Sequence, residues 1–275
     1  MITKKINGFR MFLDPEDGGI SRTLAKRGIR EPCFMWILEK EACGSIGIDV
    51  GANIGYTTLH LCRNMKRVVA IEPDPRSRKL LIENINANGF EERVDICNFA
   101  VSDMEGRTSI YLADKPNLSS LHRRPGISEQ RHEVLTKTID SLNLQPNFIK
   151  MDIEGHEVQA LNGAMGSLEA TKQCKILIEV HPQFYSGDSF ERVLKKLVAM
   201  DFAIKYVVSA GVAQPDLFRA NGYEPLWKSA KNKRGVYDCL STEDAIKWSS
   251  YPIEQVCPKG KVSPKIIRSI LLVKQ

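Results

Sequence analysis

The chain has 275 residues, 43% of them hydrophobic and 26% charged. That is enough to bury the core of one large α/β domain, and it excludes a fibrous, collagen-like or mostly disordered polymer. Lysine and arginine number 39 against 33 acidic residues, a net charge of +6, which helps attract an anion but does not by itself mark a nucleic-acid-binding protein.

Residues 1–40 read as a lead-in or cap. Met1-Ile-Thr-Lys-Lys-Ile-Asn7 carries basic residues with no apolar stretch behind them, so no signal peptide is expected. From residue 45, short apolar runs alternate with longer amphipathic ones. Strands are expected at 45–50, 67–71, 94–99, 107–112 (at an edge), 148–152, 175–180, 203–208 and 266–273. Helices fit at 53–62, 75–88, 156–170 and 189–200, the second ending at Gly89, and 241–248 makes a short one. Such alternation implies parallel crossovers and a sheet covered on both faces, a doubly wound α/β domain over residues 41–275. The connection at 211–263 is long, and its aromatics, Tyr223, Trp227, Tyr237 and Trp248, argue for packing as a substrate lid or wall. No run approaches the roughly 18 apolar residues of a membrane span. Seven scattered cysteines, with no CxxC pair, support neither a zinc site nor a disulfide framework, and a cytoplasmic location is expected.

The sharpest motif is Asp49-Val-Gly-Ala-Asn-Ile-Gly55, at the junction of a strand and a helix where doubly wound sheets bind ligands. Gly51 lets a ligand approach the backbone, Gly55 lets the helix pack close to the sheet, and Asn53 can cap or bond a polar group. A dinucleotide fingerprint needs glycine where Asn53 stands. Asp49 would repel a pyrophosphate but suits a ligand carrying an amino group or a sulfonium. Glu72, in Ala70-Ile-Glu-Pro-Asp-Pro75, lies about twenty residues further on, where an acid bonds ribose hydroxyls in nucleoside-binding folds. Taken alone, it is equally a helix-capping acid.

Together with Ala100-Val-Ser-Asp103, Ile149-Lys-Met-Asp-Ile-Glu-Gly155 and Glu179-Val-His-Pro182, these motifs resemble the FkbM family of S-adenosylmethionine-dependent methyltransferases. The resemblance spans about residues 28–208, with Gly28-Ile-Arg-Glu-Pro32 as a weaker upstream match. It implies a Rossmann-like class I methyltransferase sheet, mostly parallel with the last strand antiparallel, and 211–263 inserted before that strand. It also implies S-adenosylmethionine as cofactor and methyl transfer to a sugar, glycan or small-molecule hydroxyl. By position, Asp49, Gly51, Ala52, Asn53 and Gly55 would hold the amino-acid portion of the cofactor. Glu72, with Pro73, would bind the ribose, and Ala100, Val101 and Asp103 would border the adenine. Asp152 would close the same site.

Asp152 and Glu154 are two apart at a strand end, as are Glu179 and His181, so each pair projects to one face if the extended geometry persists. Methyl transfer to a hydroxyl needs in-line alignment and removal of a proton. His181 is the candidate base, with Asp152 or Glu154 orienting the acceptor. The alternative is a Mg²⁺ or Mn²⁺ ion held by Asp152, Glu154 and Glu179. Glu154 and Glu157 can equally cap the following helix. Ser119 and Ser120, in Asn117-Leu-Ser-Ser-Leu121, line an acceptor pocket or serve as turn residues. Lys228, Lys231, Lys233 and Arg234 form a solvated face or meet an anionic acceptor. A nitrogen or nucleic-acid acceptor is the runner-up, although an Asn/Asp-Pro-Pro-aromatic motif and a Lys-Asp-Lys-Glu set are both missing. A nicotinamide oxidoreductase is opposed by Asn53 and Asp49, and a non-catalytic cofactor-binding module stays open.

Overall fold

The computed structural model describes all residues except 114–118, 122–129, 188, 257–262 and 275. The first forty residues hold regular structure that their composition did not announce. β1 (Ile2–Ile6) and β2 (Phe9–Leu13) form a hairpin around the two-residue turn Asn7-Gly8, a pair suited to primed turns. α1 (Ile20–Arg27) and α2 (Pro32–Glu41) follow, the second starting on a proline whose missing N–H is no loss at that position.

The chain then winds through β3 (Gly44–Val50), α3 (Tyr56–Leu61), β4 (Met65–Ile71), α4 (Pro75–Asn86) and β5 (Val94–Cys97). A side excursion makes β6 (Phe99–Val101), β7 (Gly106–Tyr111) and β8 (Arg131–Lys137). The main winding resumes with β9 (Phe148–Met151), α5 (Glu157–Asn162), α6 (Met165–Ala170), β10 (Lys175–Glu179), α7 (Ser189–Ala199) and β11 (Phe202–Ser209). Last come α8 (Asp216–Ala220), β12 (Trp227–Lys228), β13 (Gly235–Tyr237), α9 (Thr242–Ser250), α10 (Ile253–Val256) and β14 (Ile267–Lys274).

Nine strands share one sheet in the order β12-β13-β11-β14-β10-β9-β3-β4-β5. β5, β4, β3, β9 and β10 run parallel, and β14 enters antiparallel between β10 and β11. This is the expected doubly wound α/β architecture with its last strand reversed. Residues 211–263 add β13 and β12 to the sheet edge, and Phe218 packs among Tyr237, Trp248 and Tyr223, its ring 4.7 Å from Tyr237 and 5.0 Å from Trp248.

Three local expectations need correction. The run 94–99 is two strands: Val94–Cys97 stays in the large sheet, while Phe99–Val101 pairs with β8. Phe99 and Val101 reach back to the main core and Ala100 faces the small sheet, the alternation any strand imposes. The strand at 107–112 is β7, but it belongs to that separate three-stranded sheet. The helix at 156–170 is two helices, because a Cβ at Gly163 would stand 2.1 Å from the Ser102 carbonyl oxygen and the chain turns there.

Side chains alternate across the sheet. Ile48, Val50, Ile149, Met151, Ile176 and Ile178 face α5, α6, α7 and α9, whereas Val68, Ala70, Leu177 and Leu271 face the N-terminal hairpin and α1 to α4. Met11, Leu13, Leu24, Ile37 and Leu38 are fully buried on that second face, each contributing about 1.5–3 kcal/mol by leaving water. The first forty residues therefore share the cover of one sheet face with α3 and α4. Among the described residues, no helix is long and apolar enough to cross a membrane.

Candidate active site

The carboxyl ends of β3, β4, β9 and β10 open into a cleft, the position at which such sheets bind ligands. Its floor is the turn after β3. Gly51 has φ +78, and a Cβ there would lie 2.1 Å from the Asp152 carbonyl oxygen, so the turn and the exit of β9 meet only because the side chain is absent. The N–H groups of Gly51 and Ala52 both donate to the Ile71 carbonyl at 3.0 Å, which pins the turn to β4.

Glu72 joins the turn to the next helix. Its Oε2 accepts from the Asn53 N–H at 2.8 Å and its Oε1 from the Asp74 N–H at 2.8 Å. Burial pushes its carboxyl up to about 7, against the pull of those two N–H groups and of Lys150. Ala52, Asn53 and Pro73 line the cleft beside it, and Ala100, Val101, Ile110 and Leu121 supply an apolar side. Gly55 begins α3 away from the cleft, against Leu81.

Gly55 is thus one of three residues expected at the cofactor that do not line the cleft; the others are Asp49 and Asp103. Asp49 lies beneath the turn, wholly buried, where its carboxylate accepts from the hydroxyls of Thr57 at 2.8 Å and Thr58 at 2.7 Å and pairs with Lys150 Nζ at 2.9 Å. Lys150 Nζ also donates to the carbonyls of Gly51 at 2.7 Å and Val50 at 3.3 Å. Asp49 thus fixes the turn from below instead of facing the amino-acid portion of a cofactor, since its charge is already taken up by Lys150. Asp103 is exposed, accepts from Ser102 Oγ at 3.1 Å, and does not border the cleft.

Asp152, Glu154 and Glu179 do converge on the cleft. Glu154 sits at φ +56, in the sharp exit from β9, where the Ser120 hydroxyl donates to its carbonyl at 3.1 Å. Burial, then the neighbouring Glu179 charge, raises the Asp152 carboxyl, with Lys150 opposing. Asp152 Oδ1 is buried and has no hydrogen-bond partner among the described residues. Glu179 is held by Arg268 Nη2 at 2.7 Å and Lys265 Nζ at 3.4 Å. Burial works against its charge, but these cations hold its carboxyl well below the ordinary range.

His181 stands behind this group and does not line the cleft. It is 4% exposed, with Nδ1 2.8 Å from Glu157 Oε1 and Nε2 3.4 Å from Glu179 and 3.7 Å from Glu154. Burial disfavours its charge, yet Glu157 and the hydrogen bonds to Glu157 and Glu179 raise the ring to about 10. His181, the base expected from sequence, is not among the residues lining the cleft, and its Nδ1 faces Glu157 and its Nε2 faces Glu179 and Glu154. Glu157, read from sequence as a helix cap, is its buried partner; burial alone would raise that carboxyl, and His181 with the Gly155 N–H brings it below the ordinary value.

Ser119 and Ser120 line the cleft as expected; the Ser119 hydroxyl donates to Asp74 Oδ2 at 2.9 Å. Asn117 lies outside the described residues. No described residue of 211–263 lines the cleft; the opposite wall comes from residues 1–40, through Ile20, Arg30, Glu31, Phe34 and Met35. Lys228, Lys231 and Lys233 are exposed, and Arg234 pairs with Glu31. Lys150 escaped the sequence reading, though a lysine inside the apolar run Phe148–Met151 needs a partner, and Asp49 is its register neighbour across β3 and β9.

The family described as the methyltransferase FkbM domain matches residues 49–204. Hexuronic acid methyltransferase AglP of Haloferax volcanii is 27% identical over 152 residues, covering 53% of this chain and 59% of its own length. The chain therefore spans less than two thirds of that relative. Methyltransferase FkbM of Methylobacillus flagellatus aligns in structure with TM-score 0.43 and 22% identity, over 58% of this chain and 39% of the other. A SAM-dependent O-methyltransferase of Thermotoga maritima aligns with TM-score 0.44 and 16% identity, over 92% and 69%.

Proposed function

The chain belongs to the FkbM methyltransferase domain family, whose match covers more than half of it, and from that premise we propose that it transfers a methyl group from S-adenosylmethionine to an oxygen of a sugar or glycan. The observation that carries the reading is the acidic cleft: Glu72 on one side, Asp152 and Glu154 on the other, joined by the glycine turn. A lining of carboxylates with one orphaned buried oxygen, on Asp152, fits a cationic ligand. Glu72 would receive the ribose hydroxyls, and Ala100, Val101, Ile110 and Leu121 the adenine face. The turn at Gly51–Asn53 would seat the amino-acid portion. When bound, S-adenosylmethionine supplies a methyl group on a positively charged sulfur.

The chain's own residues then align an acceptor oxygen and take its proton. Asp152 is the group placed for the proton, because its Oδ1 is enclosed and unpartnered and its raised carboxyl matches a base better than an ordinary aspartate. Glu154 orients the acceptor, and His181 with Glu157 keeps Glu154 and Glu179 in place from behind. A sugar acid as acceptor is supported by the name of the AglP relative. The test is calorimetric titration of ligand-stripped protein with S-adenosylhomocysteine, followed by transfer of label from methyl-labelled S-adenosylmethionine to glucuronate-bearing and neutral oligosaccharides. Saturable binding with transfer supports the reading; a protein that binds no S-adenosylhomocysteine refutes it.

A second reading is favoured by one observation. Asp152, Glu154 and His181 each offer a ligand atom within 4.8 Å of the others, and Glu157 behind Nδ1 gives the carboxylate–histidine pair that commonly backs a metal ligand. This ligand set differs from the one expected from sequence in having His181 in place of Glu179, which Arg268 and Lys265 already hold. Mg²⁺ or Mn²⁺ there would lower the acceptor's pKa, and a histidine ligand favours manganese. Loss of transfer on chelation, restored by Mn²⁺, supports it; transfer indifferent to chelators removes it.

A further inference from the structure

The cations around the cleft are paired almost throughout. Lys150 holds Asp49 at 2.9 Å, Lys265 and Arg268 hold Glu179 at 3.4 and 2.7 Å, and Arg268 and Arg234 both hold Glu31. Arg30 differs. It lines the cleft and is half-buried, yet among the described residues its guanidinium makes no hydrogen bond, ion pair or ring contact.

The backbone that presents it is fixed on both sides. Glu31 has φ +45, a left-handed conformation unfavourable for a non-glycine residue. It is kept there by Arg234 and by Arg268 Nε at 2.9 Å, while Pro32 opens α2 immediately after. On the other side, the Arg30 backbone is hydrogen-bonded to the Tyr56 hydroxyl, which also accepts from Asn7 Nδ2 at 3.1 Å. A guanidinium partly withdrawn from water is unfavourable until an anion completes it, and its planar fork matches a carboxylate with two parallel hydrogen bonds.

We propose that Arg30, which lines the cleft at the α1–α2 junction, is the receptor for a carboxylate carried by a ligand of this site. The proposal rests on the methyl-transfer reading above and adds the chemical class that the cleft selects. Two ligands of that reading carry the group: the amino-acid end of the cofactor, and an acceptor that is a sugar acid instead of a neutral sugar. The guanidinium serves either by the same geometry, and the experiment separates them.

The probes are S-adenosylhomocysteine and 5′-methylthioadenosine, which lacks the amino-acid end, titrated calorimetrically into the full chain and into Arg30→Gln and Arg30→Lys. Glucuronate and glucose are then compared as ligands of the S-adenosylhomocysteine-loaded proteins by thermal shift. Loss of a charge-assisted pair weakens binding by about 10–100-fold. If the cofactor supplies the carboxylate, Arg30→Gln weakens S-adenosylhomocysteine by that factor and leaves 5′-methylthioadenosine unchanged. If the acceptor supplies it, S-adenosylhomocysteine is unchanged, and the preference of the wild type for glucuronate over glucose disappears in Arg30→Gln and partly survives in Arg30→Lys. Equal weakening of both adenosine compounds, or no change in either comparison, overturns the proposal. A wild-type chain that binds neither adenosine compound instead refutes the methyl-transfer reading beneath it.

Discussion

Glu72→Gln separates the structural and ligand-binding duties of one carboxylate. In the ligand-free protein its two oxygens accept from two different N–H groups, of Asn53 and Asp74, at 2.8 Å each. The carboxyl is raised from 4.5 to about 7 by burial, which corresponds to roughly 3 kcal/mol of unfavourable charge burial once the group is ionised. The folded-state pKa lies above the unfolded one, so this penalty is absent below pH 4.5, grows between 4.5 and about 7, and is complete above 7. Glutamine is neutral throughout and leaves one of the two N–H groups facing an amide NH₂, a loss of about 1–3 kcal/mol at every pH. Urea unfolding at pH 5 and at pH 8 should therefore show the variant relatively better at pH 8, the wild-type advantage shrinking by up to about 3 kcal/mol. Ligand binding should move the other way. At pH 8 S-adenosylhomocysteine should bind Glu72→Gln about 10–100-fold more weakly, through loss of charged acceptors for the ribose. At pH 5 the wild type, its carboxyl protonated, should approach the variant. A stability difference that is flat with pH would refute the desolvation account, and unchanged affinity at pH 8 would remove Glu72 from the ribose site.

Lys150→Met should destabilise the fold by about 3–5 kcal/mol, because it strands a buried Asp49; denaturant midpoints should show Asp49→Asn combined with Lys150→Met to be less damaging than the sum of the two. Asp152→Asn should lower methyl transfer by about 10²–10⁴-fold while S-adenosylhomocysteine still binds, and retained transfer would assign the proton to another group. His181→Ala should strip the buried Glu157 of its cation and lower stability by about 3–5 kcal/mol in thermal or urea unfolding; a variant that lost only turnover at full stability would restore the histidine to the reacting centre.

The glycine turn, Glu72 and the acids after β9 were legible because strand ends in a doubly wound sheet are fixed by alternation, and polar residues at those ends have few other places to go. Asp49 was misjudged for a physical reason. A carboxylate within the last turn of a strand points to one face or the other, and its direction was decided by Lys150, whose place opposite it depends on register. His181 was likewise visible as a residue but not as a charge, since its state depends on Glu157 from a helix that the sequence placed only as a whole. The wall at residues 20–35 was hidden by its own brevity: two short helices and a hairpin around Asn7-Gly8 give too few periods to recognise. The 211–263 segment announced its packing through its aromatics, but aromatic content does not say whether a segment packs over a cleft or on the sheet, and here β12 and β13 take the sheet edge while α9 covers a sheet face.

The position of β14 has a consequence for the order in which the protein can be made. It enters between β10 and β11, strands synthesised well before it, and it carries Arg268, which reaches both Glu31 and Glu179. During translation the sheet thus has an open seam, with two apolar strands presenting unpaired edges, and the cleft wall lacks its link to Glu179 until Arg268 has cleared the ribosome. Closure of the seam is a late, long-range event of the kind that slows folding and leaves nascent chains prone to aggregate. A ribosome-stalled chain ending before residue 267 should remain sensitive to protease along β10 and β11, and protection there should arrive together with the capacity to bind ligand.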